Sequence, residues 1–528
     1  MVATLSSGKE QKMKTAITIV MILSLAAGLL YGTAFGQQPP PIPAQEQPEV
    51  LTRGPVHEAF DEPVILQNQA GIVVPKRPPA NIEEIPPAER PEGDHYVWVP
   101  GYWSWDEDRN DYIWVSACWR AAPPNMTWVP GYWSQVTEGW EWVAGFWTQA
   151  DNREMEYLPT PPAAGDEQPP GPPPSPDDIW VPPCQYWYQG QYVLRPGYWL
   201  AERPDWVWVP SYYVWTPRGY TFCNGHWDYP LEDRGVLFAP VYFPPSVYGQ
   251  PGFSYSPSVV VDLGGLMANL FSYPRYCHYY FGDYYDDSYL SFGIFPQFEV
   301  ERMHTWYDPM YVYDRWHHRQ DEPRWEEQQQ QEYDLRHTNK DLRPPRTYHE
   351  MEIRRTNRLP EQQQNNFRMA EPLTSFAASK QTSLKFEHIN SRAQHKLTTQ
   401  ATAVHTFSAK RRHWESTPAR QKTVQPPSEQ KGPVTTPTEH KGPLTPLAQH
   451  EQQVIQPKET QTPFVPPREI HITQPERVKV PAPPLVGRQS SAEKSPPPRP
   501  VDEGRYQGEV REAPKENQRR GNTKDKGK

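Results

Sequence analysis

The sequence predicts a mainly β protein. Two arrays of 14-residue aromatic repeats form antiparallel meander sheets, followed by a small mixed accessory region and a long disordered C-terminal tail. Three observations predict this. The chain is 13% aromatic with 21 Trp, although only 36% of its residues are hydrophobic. A Trp-rich hexapeptide recurs at a fixed period. Tryptophan also divides the chain sharply, since only Trp325 and Trp414 lie beyond residue 320. With 66 prolines in 528 residues, well above the usual ~5%, a single conventionally packed globule is excluded. A mean hydropathy of −0.84 excludes a polytopic membrane protein.

At the N-terminus, Lys12 and Lys14 precede an apolar run from Thr15 to Leu30, and Ala34-Phe35-Gly36 supplies small residues before Gln37. This pattern predicts a secretory signal peptide over 1–36. The alternative, an uncleaved membrane anchor, is disfavoured because the run falls short of the ~20 residues a spanning helix needs. Export places Cys118, Cys184, Cys223 and Cys277 in an oxidising compartment. Four cysteines there form either two disulfides, in one of three connectivities, or four separate thiols.

Residues 37–90 read as a proline-rich linker. The first array follows over 91–157, with Trp98-Val-Pro-Gly101-Tyr-Trp103, Trp114-Val-Ser-Ala117-Cys-Trp119, Trp128-Val-Pro-Gly131-Tyr-Trp133 and Trp142-Val-Ala-Gly145-Phe-Trp147. A second proline-rich linker occupies 158–178. The second array, 179–229, opens with the degenerate Trp180-Val-Pro-Pro183. It continues with Leu194-Arg-Pro-Gly197-Tyr-Trp199, Trp208-Val-Pro-Ser211-Tyr-Tyr213 and Phe222-Cys-Asn-Gly225-His-Trp227. The starts at 98, 114, 128 and 142, then 180, 194, 208 and 222, are 14 apart, except that the Asp106–Asp111 turn holds two extra residues.

Aromatic and β-branched residues at period two, as in Tyr96-Val97-Trp98, indicate strands, and polar turns separate the units. Trp98 and Trp103 are five apart and would face opposite sides of an unbroken strand. A bulge at Pro-Gly brings them to one face. A tight turn there would instead pair Trp98 with Trp103, but L-Pro-Gly favours a turn whose twist suits two-residue hairpins poorly. The expectation is one strand per unit, bent at Pro-Gly, with hairpin turns between units.

These residues resemble the WXXGXW (YXWGXW) repeat family of exported bacterial proteins. Five copies keep both the glycine (Gly101, Gly131, Gly145, Gly197, Gly225) and the final tryptophan, while Ala117, Pro183 and Ser211 depart from it. The resemblance covers about 91–229 and implies an exported repeat protein with no agreed activity.

Residues 230–320 read as a Tyr-rich accessory unit packed on the second array. It should hold a strand at Ser258–Asp262, a helix or turn at Leu263–Phe271, a strand at Phe295–Met303 and a helix at Asp308–His318 capped by Asp308-Pro309. An exposed helix is expected in 321–343. Beyond it, 344–528 is rich in Gln, Pro, Lys and Arg and cannot bury enough apolar surface to order itself. Residues 321–528 carry a net +9 and the first 320 a net −19.

No Walker loop, GxSxG elbow or dinucleotide fingerprint occurs. The cluster Cys277, His278, Asp283, Asp286 and Asp287 matches no calcium loop and reads as a solvated acidic turn over packed tyrosines. His317-His318 diverge on a helix and read as exposed. The expectations are therefore no catalytic residues, no metal and no cofactor. The repeat tryptophans have two readings, a core built of aromatics or surface rings that stack on sugars. The second would make Trp98, Trp103, Trp128, Trp133, Trp142, Trp147, Trp199, Trp208 and Trp227 ligand-binding. The leading functional expectation is an exported, non-enzymatic scaffold of the cell envelope, periplasmic or extracellular, that meets other envelope proteins. The alternatives are a cell-wall polysaccharide-binding module and, behind it, an enzyme within 230–320. The dilute basic tail and the export signal argue against a nucleic-acid partner, and no transmembrane span remains after signal cleavage.

Overall fold

Alternating aromatic and β-branched residues do form strands, and the strands pair two units at a time. In the computed structural model, which describes residues 47–66, 71–165, 168–299, 306–356, 367–380, 382–416 and 474–484, four bent hairpins span the repeats. The first pairs Tyr96–Val99 and Tyr102–Asp106 with Cys118–Ala121 and Asp111–Val115. The second pairs Met126–Val129 and Tyr132–Val136 with Phe146–Gln149 and Gly139–Val143. The third runs Asp178–Val181 and Cys184–Tyr188 against Tyr198–Ala201 and Gln191–Arg195. The fourth runs Val207–Val209 and Tyr212–Thr216 against His226–Asp228 and Gly219–Cys223.

Register is unbroken through each bend. Trp98 faces Trp119 and Trp103 faces Trp114, so Pro100-Gly101 lies opposite Ser116-Ala117. The bend is thus a two-residue break on both strands, not a one-residue bulge on one, and Pro-Gly is not the hairpin turn. Those turns lie between units. Asp106 faces Asp111 across four residues, which accounts for the long first spacing, whereas Tyr188 faces Gln191 across Gln189-Gly190. Gln189 and Gly190 both have positive φ (48° and 83°), the two-residue geometry that matches strand twist.

The expectation of a continuous meander is corrected. Among the described residues the hairpins do not pair with one another, and their edges receive strands from elsewhere. Gly235–Leu237 joins Cys118–Ala121, Val241 joins Trp114, and Val73–Val74 joins Trp140 and Glu141. The accessory region therefore adds strands to the first array. Its helix α1 (Pro309–His317), capped by Asp308 accepting from the Tyr311 N–H at 2.9 Å, lies against Val207–Val209 of the second. The expected strand at Ser258–Asp262 is Val259–Val261, and the helix is Leu263–Met267; of the strand expected at Phe295–Met303, Phe295–Pro296 is a strand, 297–299 are helical, and 300–303 lie outside the described residues. The exposed helix becomes α2 (Glu322–Thr338).

Two segments depart from the sequence expectation. The described residues of the expected 37–90 linker, 47–66 and 71–90, are not a linker. They thread the core, with Val56, Ala59, Phe60 and Val64 fully buried and Gly54–Pro55 paired to Tyr280 and Phe281. The part of 344–528 that is described is ordered. It holds α3 (Tyr348–Thr356) and α4 (Ser391–Ser416), and its short strands pair with Val259–Val261, Glu89–Pro91 and Glu154–Tyr157. The expected signal peptide, 1–36, lies outside the described residues, as do 37–46, 417–473 and 485–528. No helix among the described residues is long and apolar enough to cross a membrane.

By contact the chain divides into two compact units, Met1–Pro48 with Pro244–Gln250, and Glu49–Phe243 with Pro251–Lys528. The described part of the first is little more than the one-turn helix Pro245–Tyr248. The hairpins belong to the second, whose core is aromatic. Cross-strand ring pairs hold each hairpin, with centroids 5.0 Å apart for Trp98–Trp119, 5.2 Å for Trp103–Trp114 and Trp128–Trp147, and 4.9 Å for Trp208–Trp227. Such pairs contribute ~0.5–1.5 kcal/mol each beyond area burial. A buried ion network ties the ends of the hairpins together. Arg120 of the first binds Asp228 of the fourth at 2.5 Å, and Arg234 binds both Asp61 and Asp228. Burial works to raise the Asp228 carboxyl, but Arg120 and Arg234 outweigh it and hold it below the usual range.

Candidate functional site: the hairpin breaks and the adjoining aromatic cavity

A two-residue break in a β ladder leaves backbone N–H and C=O groups without cross-strand partners, and buried ones must be satisfied. In the first two hairpins side chains from outside the arrays serve them, and in the fourth a serine of the array itself does. In the first hairpin, Glu84 accepts from the Gly101 N–H at 2.7 Å and the Ala117 N–H at 2.9 Å. His57 Nε2 donates to the Pro100 carbonyl and His405 Nε2 to the Gly101 carbonyl, at 3.1 and 3.0 Å. In the second hairpin, Glu58 accepts from the Gly145 N–H at 3.1 Å and from the Trp142 indole N–H at 2.5 Å. Arg411 Nη1 donates to the Pro130 and Ala144 carbonyls at 2.9 and 2.8 Å, and Ser408 Oγ to the Gly131 carbonyl at 2.7 Å. In the fourth, Ser211 Oγ accepts from the Gly225 N–H at 2.8 Å.

Helix α4 presents His405, Ser408 and Arg411 to the breaks because Thr398, Ala401, Val404, Phe407, Arg411 and Glu415 fall at three- and four-residue spacing on one buried face. Asn390 starts the helix by accepting from the Ala393 N–H. The Arg411 guanidinium is neutralised by Glu415 at 3.0 Å, and Glu415 also accepts from the hydroxyls of Tyr132 and Tyr157.

The electrostatics follow from burial. Glu58 is pushed up to about 8 by desolvation, against the hydrogen bonds it accepts. Glu84 is pushed up to about 7 for the same reason. Desolvation lowers His57 to about 4 and His278 to about 3. Their tautomers follow from their partners. His278 donates from Nδ1 to the Tyr276 carbonyl at 2.6 Å and accepts at Nε2 from the Tyr102 hydroxyl at 2.7 Å. His57 accepts at Nδ1 from the Ala59 N–H. Both imidazoles are neutral and committed on each nitrogen.

Beside the second break lies a cavity of about 60 Å³. It is walled by Trp142 and Gly145 of the second hairpin, Tyr212, Tyr213, Trp215 and Tyr220 of the fourth, and the 62–65 and 274–277 segments. The Tyr212 hydroxyl donates to Glu62 Oε1 at 2.6 Å inside it.

The structure separates the sequence-derived candidates. Trp98, Trp103, Trp128, Trp133, Trp142, Trp147, Trp208 and Trp227 are buried, and only Trp199 is partly accessible, in the third hairpin. The motif glycines are explained by space. A Cβ on Gly131 would meet the Trp142 ring at 2.5 Å, one on Gly145 the Trp128 ring at 2.3 Å, and one on Gly197 the Trp180 ring at 2.2 Å. Gly101 would meet the Val115 carbonyl at 2.1 Å and Trp114 Nε1 at 2.9 Å. Each of these four glycines lies under the first aromatic of the facing unit. By the same diagonal, Pro183 faces Leu194 and Ser211 faces Phe222, so two of the departures fall where the facing residue is not Trp.

None of the four cysteines is in a disulfide. Cys118 and Cys223 are buried, and Cys184 and Cys277 are partly so. The Cys277–Asp287 cluster is dispersed. His278 is enclosed, Asp283 binds Arg346 at 2.7 Å, Asp286 binds Arg343 at 2.9 Å, and Asp287 binds His337 at 2.9 Å. Among the described residues no group of three His, Cys, Asp or Glu side chains could hold a metal ion. His317 packs edge-on against Tyr313, and His318 stacks on Trp325.

Sequence reasoning missed Glu58, Glu62, Glu84, His57, His405 and Arg411. The carboxylates sit in proline-rich sequence without periodicity. One signal for α4 was legible, since 391–416 contains neither proline nor glycine. No family model matches the chain, and no curated protein or solved structure is similar to it.

Proposed function

We propose that this is an exported, non-enzymatic scaffold of the cell envelope, built from the WXXGXW-type arrays and held rigid by the segments that clamp their bends. The observation that carries this reading is the burial of eight of the nine candidate ligand-binding tryptophans. Rings packed in facing pairs over glycine backbones serve as core and leave no face for a sugar. The polar groups that could do acid–base work are engaged structurally. Glu58 and Glu84 hold ladder breaks, and Asp283 and His278 are bound to Arg346 and Tyr102. Stiff bodies with polar, partly basic extensions suit protein partners in the envelope.

A second reading, a polysaccharide-binding module, is favoured by the third hairpin alone. There Trp180, Trp187, Tyr192, Tyr198 and Trp199 are half-buried and Leu194 is 44% exposed. Co-sedimentation of the full chain with isolated cell-wall polysaccharide separates the two. The scaffold reading expects no saturable pelleting, together with discrete protein crosslinks in intact cells. Saturable pelleting lost in W180A and W199A would replace it with the second.

A further inference from the structure

The cavity beside the second break combines three features that the scaffold role does not use. Its walls carry five aromatic side chains, Trp142, Tyr212, Tyr213, Trp215 and Tyr220. It holds one carboxyl, Glu62, whose oxygen accepts from the Tyr212 hydroxyl and which forms no ion pair among the described residues. On this measure a single water needs roughly 10–15 Å³, so about 60 Å³ admits a group of four or five heavy atoms.

Aromatic walls around a small cavity attract cations through the ring quadrupole, and most strongly those whose charge is spread over methyl groups and is cheap to desolvate. A carboxyl at the wall supplies the countercharge. Burial, reinforced by Glu58, Asp61 and Asp228, pushes the Glu62 carboxyl well above its ordinary range. Arg275 also lines the cavity. This guanidinium opposes every cation alike; a methylated head group offsets it with ring contact at a low desolvation cost, which a strongly hydrated inorganic cation cannot do.

We propose that this cavity binds a methylated ammonium group, with Glu62 as countercharge and Trp215 and its tyrosine neighbours as the cage. The site goes beyond the scaffold role and does not depend on it.

The test is titration of the full-length protein with tetramethylammonium chloride and with choline, read by tryptophan fluorescence. The neutral choline isostere 3,3-dimethylbutan-1-ol and ammonium chloride serve as controls. The expected result is saturable quenching by both methylated cations and none by either control. E62Q should weaken the response by about tenfold or more while its melting temperature stays that of the parent. W215L, altered at a half-exposed wall, should weaken it likewise and decides the matter if E62Q fails to fold. An absent saturable response in the parent protein would overturn the proposal. So would equal binding of the neutral isostere, or parental affinity in a folded variant.

Discussion

The indole of Trp128 lies over the backbone of Gly145, 2.3 Å from where a β-carbon would stand. Trp128 is also the cross-strand partner of Trp147, two residues beyond that glycine. Gly101, Gly131, Gly145 and Gly197 each make room for a ring of the opposite strand, so glycine and tryptophan require each other across a hairpin.

It follows that G145A destabilises the protein through overpacking, by ~1–3 kcal/mol. Gly145 has no positive φ, so backbone strain adds nothing. Gly171, with nothing within 4 Å of an added β-carbon and no positive φ, is the matched control. Thermal melts should show a clear drop for G145A and no drop for G171A.

Helix α4 is an integral part of the fold. Replacing Arg411 by Ala strands Glu415 in a buried site and frees the Pro130 and Ala144 carbonyls. Breaking one side of such a pair costs ~3–5 kcal/mol. Limited proteolysis of R411A should cut within 391–416 well before the parent is cut there.

Stability should also fall as the solution turns alkaline. Glu58 and Glu84 titrate at about 8 and about 7 in the fold, against roughly 4.3 for an unfolded glutamate. A raised folded-state value favours the fold fully below the unfolded value, and that contribution is lost as pH rises through 7 and 8. His57 and His278, lowered to about 4 and about 3, act oppositely. Their contribution is present above about 6.5 and is lost as pH falls through 4 and 3. Urea melts across pH 5–9 should show the alkaline decline, and E58Q should flatten it near pH 8.

The tryptophans should differ in cost by location. W103A empties a buried site and should cost ~3–5 kcal/mol. W199A, in the half-buried third hairpin, should cost distinctly less in the same melts.

Much of the β architecture was legible because period-two aromatics and a fixed repeat act locally. Strand positions, inter-unit turns and the two extra residues before Asp111 all appear as read. Pairing between hairpins was not legible, because it is set by non-local edges such as Gly235–Leu237. The 49–91 segment misled because isolated Val56, Phe60 and Val64 among prolines carry no periodicity, yet each fills a core site. Helix α4 misled because its buried face is made of Thr, Ala, Arg and Glu as much as apolar residues. Its burial is driven by backbone groups at the hairpin breaks, which no side-chain pattern advertises. The same holds for Glu58 and Glu84, whose partners are the amides of Gly145, Gly101 and Ala117.

The units pair as bent hairpins, and side chains from outside the arrays hold the breaks of the first two. Hydrogen exchange at the Gly101 and Ala117 amides tests this most directly, compared between the full-length protein and E84A. Slow exchange at both amides, accelerated together by E84A while Val97 and Trp119 stay protected, is the predicted result. Fast exchange at both in the unsubstituted protein, or no response to E84A, would contradict it.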